Sequence, residues 1–218
     1  MKTIHNLSSI ETQNKKSRFH FIVDESGSMG NCRLDVIQVL NEQFEFLRNL
    51  SSQNPNESLK AALYFFNENI KSSHVGIEVN TFPKISLEDY VPNGSTALLD
   101  AIGTVASREY KITQQAVQEN LINSVFVIVT DGYENVSRFF TSDQVRNLIQ
   151  EMQEKGYVFV FLAAFQGGFK VAEDLNIRKE NAVVFEKTVL KDQFDRVGKG
   201  FEKMIVDKKG GIDRKFFE

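Results

Sequence analysis

The chain has 218 residues, enough for one sizeable hydrophobic core, and its 41% hydrophobic and 25% charged residues are ordinary for a globular domain. The formal charge of −3 means that no overall positive field favours binding to nucleic acid or to an acidic membrane. Cys32 is the single cysteine, so no internal disulfide can form, and the polar start at residues 1–6 also favours a reducing cytoplasm. The longest apolar runs, such as residues 157–165, are too short for a membrane-spanning helix, which needs about 20 residues.

The first half of the chain predicts two buried strands, an amphipathic helix and an exposed edge strand. Apolar runs predict strands over 19–24 and 59–66, and alternation predicts an antiparallel strand over 70–82 after a turn at 67–69. Between the first two strands, residues 30–49 follow a helical period. The face of this helix that is predicted to be buried consists of Leu34, Ile37, Leu40, Phe44 and Leu47.

The second half continues to alternate between helices and strands. Residues 121–130 are apolar nearly throughout, which predicts a central strand buried on both faces. Thr141 or Ser142 can cap the helix that follows this strand. The other predicted elements are helices over 95–116, 142–155, 169–175 and 189–206 and strands over 157–165 and 182–185.

This alternation predicts a doubly wound α/β fold, with a mostly parallel central sheet, one antiparallel edge strand and helices on both faces. We expect one domain over residues 18–206, preceded by a polar N-terminal arm over 1–17 and followed by a C-terminal tail over 207–218. The tail is expected to be a frayed terminus.

Three segments place polar oxygens where strands end or helices begin. Asp24 ends the first strand and is followed at alternate positions by Ser26 and Ser28, Thr96 lies at the start of a predicted helix, and Asp131 ends the central strand. The ends of parallel strands meet at one edge of a sheet, where open α/β sheets bind their ligands. Carboxylates and hydroxyls together suit a hard divalent cation, with magnesium as the first choice. The alternative for each residue alone is local, because serines can cap the next helix and Asp131 can start a turn with the glycine after it.

The same residues resemble those of a known family. Asp24, Ser26 and Ser28 match the D-x-S-x-S motif of the von Willebrand factor A family, Thr96 matches its distant threonine, and Asp131 with its following glycine matches its distant aspartate. Together they resemble a complete metal-ion-dependent adhesion site. The resemblance covers roughly residues 17–205, and the runs 161–165, 169–172 and 181–185 are similar to small stand-alone bacterial and phage members.

The resemblance implies how such a site would work. The two serines would bind the ion directly, the threonine directly or through water, and the aspartates directly or by holding coordinated waters. The implied cofactor is Mg²⁺, with Mn²⁺ as a substitute, and the implied function is that of a protein-binding adaptor rather than an enzyme. The implied partner is a protein that presents an Asp or Glu to the metal, and an AAA+ ATPase system is one such partner that the family suggests.

The sequence also allows several catalytic hypotheses to be weighed. A serine nucleophile at Ser28 would need a later histidine, but only His74 follows it, before Asp131 and in an edge strand. A phosphotransfer aspartate at Asp24 would need a second aspartate where Ser26 stands. The chain has no P-loop motif, and its histidines and cysteine are too scattered to bind zinc. The remaining alternative function is a metal-assisted hydrolase acting on phosphate esters.

Four charged residues near the predicted site have two interpretations each. Glu25, Glu134 and Arg138 are expected at the rim, where they could select a partner or simply be solvated. Asp100 lies one helical turn after Thr96, so it could support the site or face water.

Overall fold

The computed structural model describes residues 15–186, 189–206 and 216–217. In these residues the helices are α1 (Arg33–Gln53), α2 (Leu98–Gln118), α3 (Ser142–Glu154), α4 (Gly168–Asp174) and α5 (Leu190–Val206). The strands are β1 (Lys16–Asp24), β2 (Ser58–Phe66), β3 (Ile70–Glu78), β4 (Ile122–Thr130), β5 (Val158–Ala163) and β6 (Ala182–Val184). The described part of the predicted arm and tail is limited to residues 15–17 and 216–217, and the rest of both lies outside the described residues.

The strands form a single mixed sheet in the order β3-β2-β1-β4-β5-β6. β2 and β3 pair in antiparallel fashion, whereas the other neighbouring strands are parallel. The predicted fold class and its antiparallel edge strand are therefore confirmed. The strand order changes direction between β1 and β4, so this pair forms the switch point at which open α/β sheets leave a crevice.

Both faces of the sheet are covered, because successive side chains of a strand point to opposite sides. Phe19, Phe21 and Val23 of β1 join the core under α1 and α5, whereas Ile22 joins the core under α2, α3 and α4. At the start of α3, Thr141 accepts a hydrogen bond from the Gln144 backbone N–H and forms a capping box, which confirms the predicted cap. None of the helices in the described residues is long and apolar enough to cross a membrane.

The start of α1 differs from the prediction. The chain leaves β1 through a 3-10 turn at Gly27–Cys32, so the α-helix begins at Arg33 rather than at residue 30. Leu34, expected in the core, is 68% exposed. It precedes the buried Val36 by two residues, which is about 200° of rotation in an α-helix, so it lies on the opposite face.

Residues 216–217 of the predicted tail differ from the frayed terminus that was expected. Phe216 is 5% exposed, and its ring packs edge-on against Phe201 of α5 at 5.5 Å. Its backbone N–H donates to Asn181 Oδ1 at 2.9 Å. A side chain at Gly200 would overlap the Phe216 ring, so the glycine makes room for this contact. Tertiary packing therefore holds these residues although the sequence around them is polar.

A buried ionic cluster joins the first half of β1 to α2, at the opposite end of the strand from the crevice. The Arg18 guanidinium donates to both carboxylate oxygens of Glu109, at 2.6 and 2.9 Å, and His20 Nε2 lies 3.3 Å from Glu109 Oε1. Burial alone would raise the pKa of Glu109, but the contacts with His20 and Arg18 outweigh it and lower the pKa to about 2. The ionised carboxylate therefore contributes to the stability of the fold.

Candidate metal centre

The end of β1 holds Asp24 in a fixed orientation at the switch point. The side chain is fully buried, and its Oδ1 accepts a hydrogen bond of 2.7 Å from the backbone N–H of Ser26. Its Oδ2 accepts a 2.6 Å bond from the hydroxyl of Thr130, the last residue of β4. Because one bond comes from each of two neighbouring strand ends, the parallel pairing of β1 and β4 determines where this carboxylate points.

The hydroxyls of the first loop reach the loop after β4. Ser28 Oγ donates to Asp131 Oδ1 at 2.6 Å, and Ser26 Oγ lies 3.2 Å from Ser28 Oγ. Two oxygens on adjacent corners of an octahedral magnesium site, with bonds of 2.0–2.1 Å, would be about 2.9 Å apart. The observed separations lie on either side of this value. The three oxygens are therefore joined by hydrogen bonds and are close enough together for one ion to contact all of them.

A third loop brings Thr96 to the same place. The Gly94 carbonyl accepts a 3.0 Å hydrogen bond from the Gly27 N–H, which ties this loop to the first one. Thr96 is 4% exposed, and its Oγ1 lies 3.6 Å from the position that a Cβ on Gly132 would occupy. The hydroxyl of Thr96 therefore lies beside the loop that carries Asp131.

The electrostatics of the centre come from two carboxylates and three hydroxyls. Burial raises the pKa of Asp24, the hydrogen bonds from Thr130 and Ser26 oppose that increase, and the charge of Asp131 adds to it. Among the described residues, no group of three or more His, Cys, Asp and Glu side chains could hold a metal. A centre at this position would therefore depend on hydroxyl oxygens, which suits magnesium or manganese better than zinc.

Two of the charged residues expected at the rim are instead part of the framework. Glu25 is 6% exposed, and its Oε1 accepts a 2.6 Å hydrogen bond from the Val91 N–H. Glu134 accepts hydrogen bonds from the N–H of Leu99, in the first turn of α2, at 3.0 Å and from Ser137 Oγ at 2.7 Å. Both carboxylates accept hydrogen bonds from within the protein, so neither residue is positioned at the rim to select a partner.

Arg138 is exposed, as expected for the rim, but the loop around it is held by Asp100. Asp100 is 5% exposed and accepts backbone hydrogen bonds of 2.8–2.9 Å from Arg138, Phe139 and Phe140. The alternative in which Asp100 faces water is therefore wrong. The sequence did offer one indication of this role, because Asp100 lies in the first turn of a predicted helix, one turn after Thr96.

Asn135 is a supporting residue that the sequence analysis missed. Its Oδ1 accepts a 2.9 Å hydrogen bond from the Thr96 N–H, and its own N–H donates to the Thr96 carbonyl at 3.1 Å. This pair of bonds joins the loop before α2 to the loop after β4. No motif in the sequence indicates the pairing, because the two residues are 39 positions apart.

The fold and the centre together define an α/β domain whose oxygen-lined crevice opens at a sheet switch point. The model of the von Willebrand factor type A domain matches residues 20–193, and the chain belongs to this family. No curated protein is similar enough to the chain to match it.

Solved structures share the fold at low sequence identity. The vWF domain of the type V pili tip protein Mfa5 from Porphyromonas gingivalis has a TM-score of 0.67 and 10% identity, over 90% of this chain and 98% of that one. A von Willebrand factor type A protein from Catenulispora acidiphila has a TM-score of 0.55 and 14% identity, over 84% and 42%. Proximal thread matrix protein 1 from the mussel byssus, with a zinc-occupied MIDAS motif, has a TM-score of 0.59 and 14% identity, over 87% of this chain. This chain spans 46% of the mussel protein.

Proposed function

We propose that this protein is a magnesium-dependent protein-binding domain, an adaptor that captures a carboxylate of its partner at a metal-ion-dependent adhesion site. Manganese would substitute for magnesium, because both prefer oxygen ligands. The residues proposed to hold the ion are Asp24, Ser26, Ser28, Thr96 and Asp131.

One observation carries this proposal. Ser28 Oγ lies 2.6 Å from Asp131 Oδ1 and 3.2 Å from Ser26 Oγ, although Asp131 comes from a loop 103 residues away along the chain. Two serines that only capped the next helix would have no reason to meet a carboxylate from another strand. Moreover, Ser26, the N-cap residue of the 3-10 turn, makes no side-chain capping hydrogen bond.

The charges of the centre support a carboxylate as the ligand from the partner. Serine and threonine hydroxyls are uncharged metal ligands, and two aspartates at most balance the two positive charges of the ion. Where an aspartate holds a coordinated water instead of binding the ion directly, the ion keeps a net positive charge. It also keeps a coordination position at which one ligand can replace another. An anionic oxygen would then gain a direct bond in a partly desolvated crevice, where charge attraction is stronger than in bulk water.

A metal-assisted hydrolase acting on phosphate esters is less well supported. His20 lies four residues before Asp24 on β1, about 13 Å away along the strand, and contacts Glu109 instead. His74 lies on the edge strand β3, beyond β2, and its Nδ1 is 2.9 Å from Ser73 Oγ. Among the described residues, the crevice therefore lacks a histidine that could serve as general acid or base.

We propose a cytoplasmic location, because the sequence has one cysteine, Cys32, and so cannot form an internal disulfide, as expected in a reducing compartment. An AAA+ ATPase system is the partner class that the family resemblance suggests, and the bacterial or phage origin rests on the same resemblance.

Calorimetric titration with MgCl₂ tests the metal site. Wild-type protein should bind one ion, and Asp131→Ala should bind none, whereas Asp143→Ala, which removes an exposed aspartate in the first turn of α3, should bind as wild type does. Unchanged magnesium affinity in Asp131→Ala would contradict the assignment. A screen with phosphomonoester, phosphodiester and nucleic-acid substrates in magnesium should show no turnover above background. Turnover that Ser28→Ala removes would favour the hydrolase instead.

A further inference from the structure

A cavity of about 570 Å³ lies at the same edge of the sheet as the proposed metal centre. It opens between the end of β5 and the end of β6, one and two strands beyond β4. Its walls are mainly apolar, and the residues that line it are Ala164, Phe165, Gln166, Val184, Phe185 and Glu186. The volume falls in the range of small-ligand pockets, which is more than one large side chain needs.

Tyr133 connects this cavity to the metal centre. It follows Asp131 by two residues and is 59% exposed, yet its ring packs edge-on against Phe165 at a centroid distance of 4.7 Å. A side chain at Gly167 would overlap the Tyr133 hydroxyl, so the glycine makes room for this ring. The Ala164 N–H also donates to the Thr130 carbonyl at 2.9 Å. The cavity wall is therefore attached to the loop that carries a proposed metal ligand.

We propose that this cavity receives an apolar side chain of the same partner segment whose carboxylate reaches the metal, two residues away from the acid. This inference rests on the proposed function. The metal would lie between the ends of β1 and β4, and neighbouring strands are about 4.8 Å apart, so the space between the ends of β5 and β6 is about two strand spacings, roughly 10 Å, from the metal. In an extended peptide, residues i and i+2 point to the same side and lie about 7 Å apart. The side chains of the acid and of a bulky apolar residue can diverge enough to span the few ångströms by which the two separations differ.

The polar rim of the cavity defines what the second side chain should be. Gln166 and Glu186 are exposed at its mouth, and Glu186 would repel a second acidic residue of the partner. Phe165 below them is half-buried and offers apolar surface to an aromatic or branched aliphatic side chain, whereas Phe185 is 8% exposed and contributes little. The partner class is therefore an extended segment with one acid and one bulky apolar residue at positions i and i+2, in either order.

A peptide library tests the inference with the full-length chain. Phage displaying heptapeptides with Asp fixed at the centre are bound in MgCl₂ and eluted with EDTA. We expect the eluted clones to be enriched in an aromatic or branched aliphatic residue two positions from the Asp. Clones that elute with EDTA but show no such preference, or show it at another spacing, would overturn this inference and leave the metal site standing. If wild-type protein retains no clone in an EDTA-sensitive way, the proposed function fails, and the inference fails with it.

Variants then locate the contact. Phe165→Ala should weaken binding of a selected peptide at least about tenfold, measured by fluorescence polarisation, because truncating an aromatic residue at a hot spot costs about 1.4 kcal/mol or more. It should not change the affinity for the same peptide with alanine at the apolar position, or for Mg²⁺. Gln166→Trp, which changes an exposed residue at the mouth, should block the cavity without disturbing the core. Phe169→Ala, at an exposed phenylalanine that lines a different cleft, is the matched control, and equal losses there would contradict the proposal.

Discussion

Replacing Asp24 with asparagine should leave the metal-free fold at least as stable as wild type while removing its stabilisation by magnesium. The amide can keep both contacts, since its oxygen can accept from the Ser26 N–H and its NH₂ group can donate to Thr130 Oγ1. The Thr130 hydroxyl can then donate to the Gly132 carbonyl, 3.3 Å away. Because burial raises the pKa of Asp24, the ionised form is disfavoured in the fold, and removing its charge should not lower the free energy of unfolding in EDTA.

The expected size of the magnesium effect follows from linkage. An ion that binds only the folded state at 100 times its Kd adds about 2.7 kcal/mol to the free energy of unfolding. In a chain of this length that raises the Tm by about 5–10 °C. Losing a carboxylate at the ion should weaken binding at least about 100-fold, since outer supports of metal ligands alone are worth about 10–100-fold. At the same magnesium concentration the variant should then gain no more than about 0.4 kcal/mol.

Thermal unfolding followed by circular dichroism, in EDTA and in increasing MgCl₂, measures both effects. Asp143→Asn, which removes one exposed aspartate in the first turn of α3, is the matched control and should shift with magnesium as wild type does. An Asp24→Asn variant that keeps the full magnesium shift would refute the role of this carboxylate at the ion. A large fall in Tm in EDTA would instead show that the charge of Asp24 stabilises the fold.

Three further changes test the framework around the centre. The pKa of Glu109 is lowered from 4.5 to about 2, so its ionised form stabilises the fold fully above pH 4.5 and loses this effect as the pH falls toward 2. In urea denaturation, Glu109→Gln should therefore lower the free energy of unfolding by about 3 kcal/mol at pH 7 and by little at pH 2. Phe216→Ala should lower the free energy of unfolding by about 3 kcal/mol, and the more exposed Phe217→Ala by clearly less; equal losses would argue against a specific anchor. Asp100→Ala should speed hydrogen exchange of the amides of residues 138–140 while the central strands stay protected, and unchanged exchange there would contradict its anchoring role.

Local sequence was sufficient to predict the order of the strands and helices and the positions where the central strands end. The strands predicted over 19–24 and 121–130 are observed as β1 (Lys16–Asp24) and β4 (Ile122–Thr130), because a strand buried on both faces must be apolar almost throughout. The polar residue that ends such a run therefore marks the edge of the sheet. Asp24, Ser26 and Ser28 lie within five residues, so their mutual geometry is largely a property of one short turn. Their role in binding metal remains a prediction.

The tertiary structure alone decided which charged and apolar side chains are buried around this framework. Glu25, Glu134 and Asp100 are acidic residues beside polar loops, a pattern that usually indicates solvent exposure. Each instead accepts hydrogen bonds from backbone N–H groups of other segments, and a short sequence window cannot reveal where those donors lie. The same holds for Leu34 and Phe216, since periodicity describes one face of one helix, whereas burial depends on what the rest of the chain places against it.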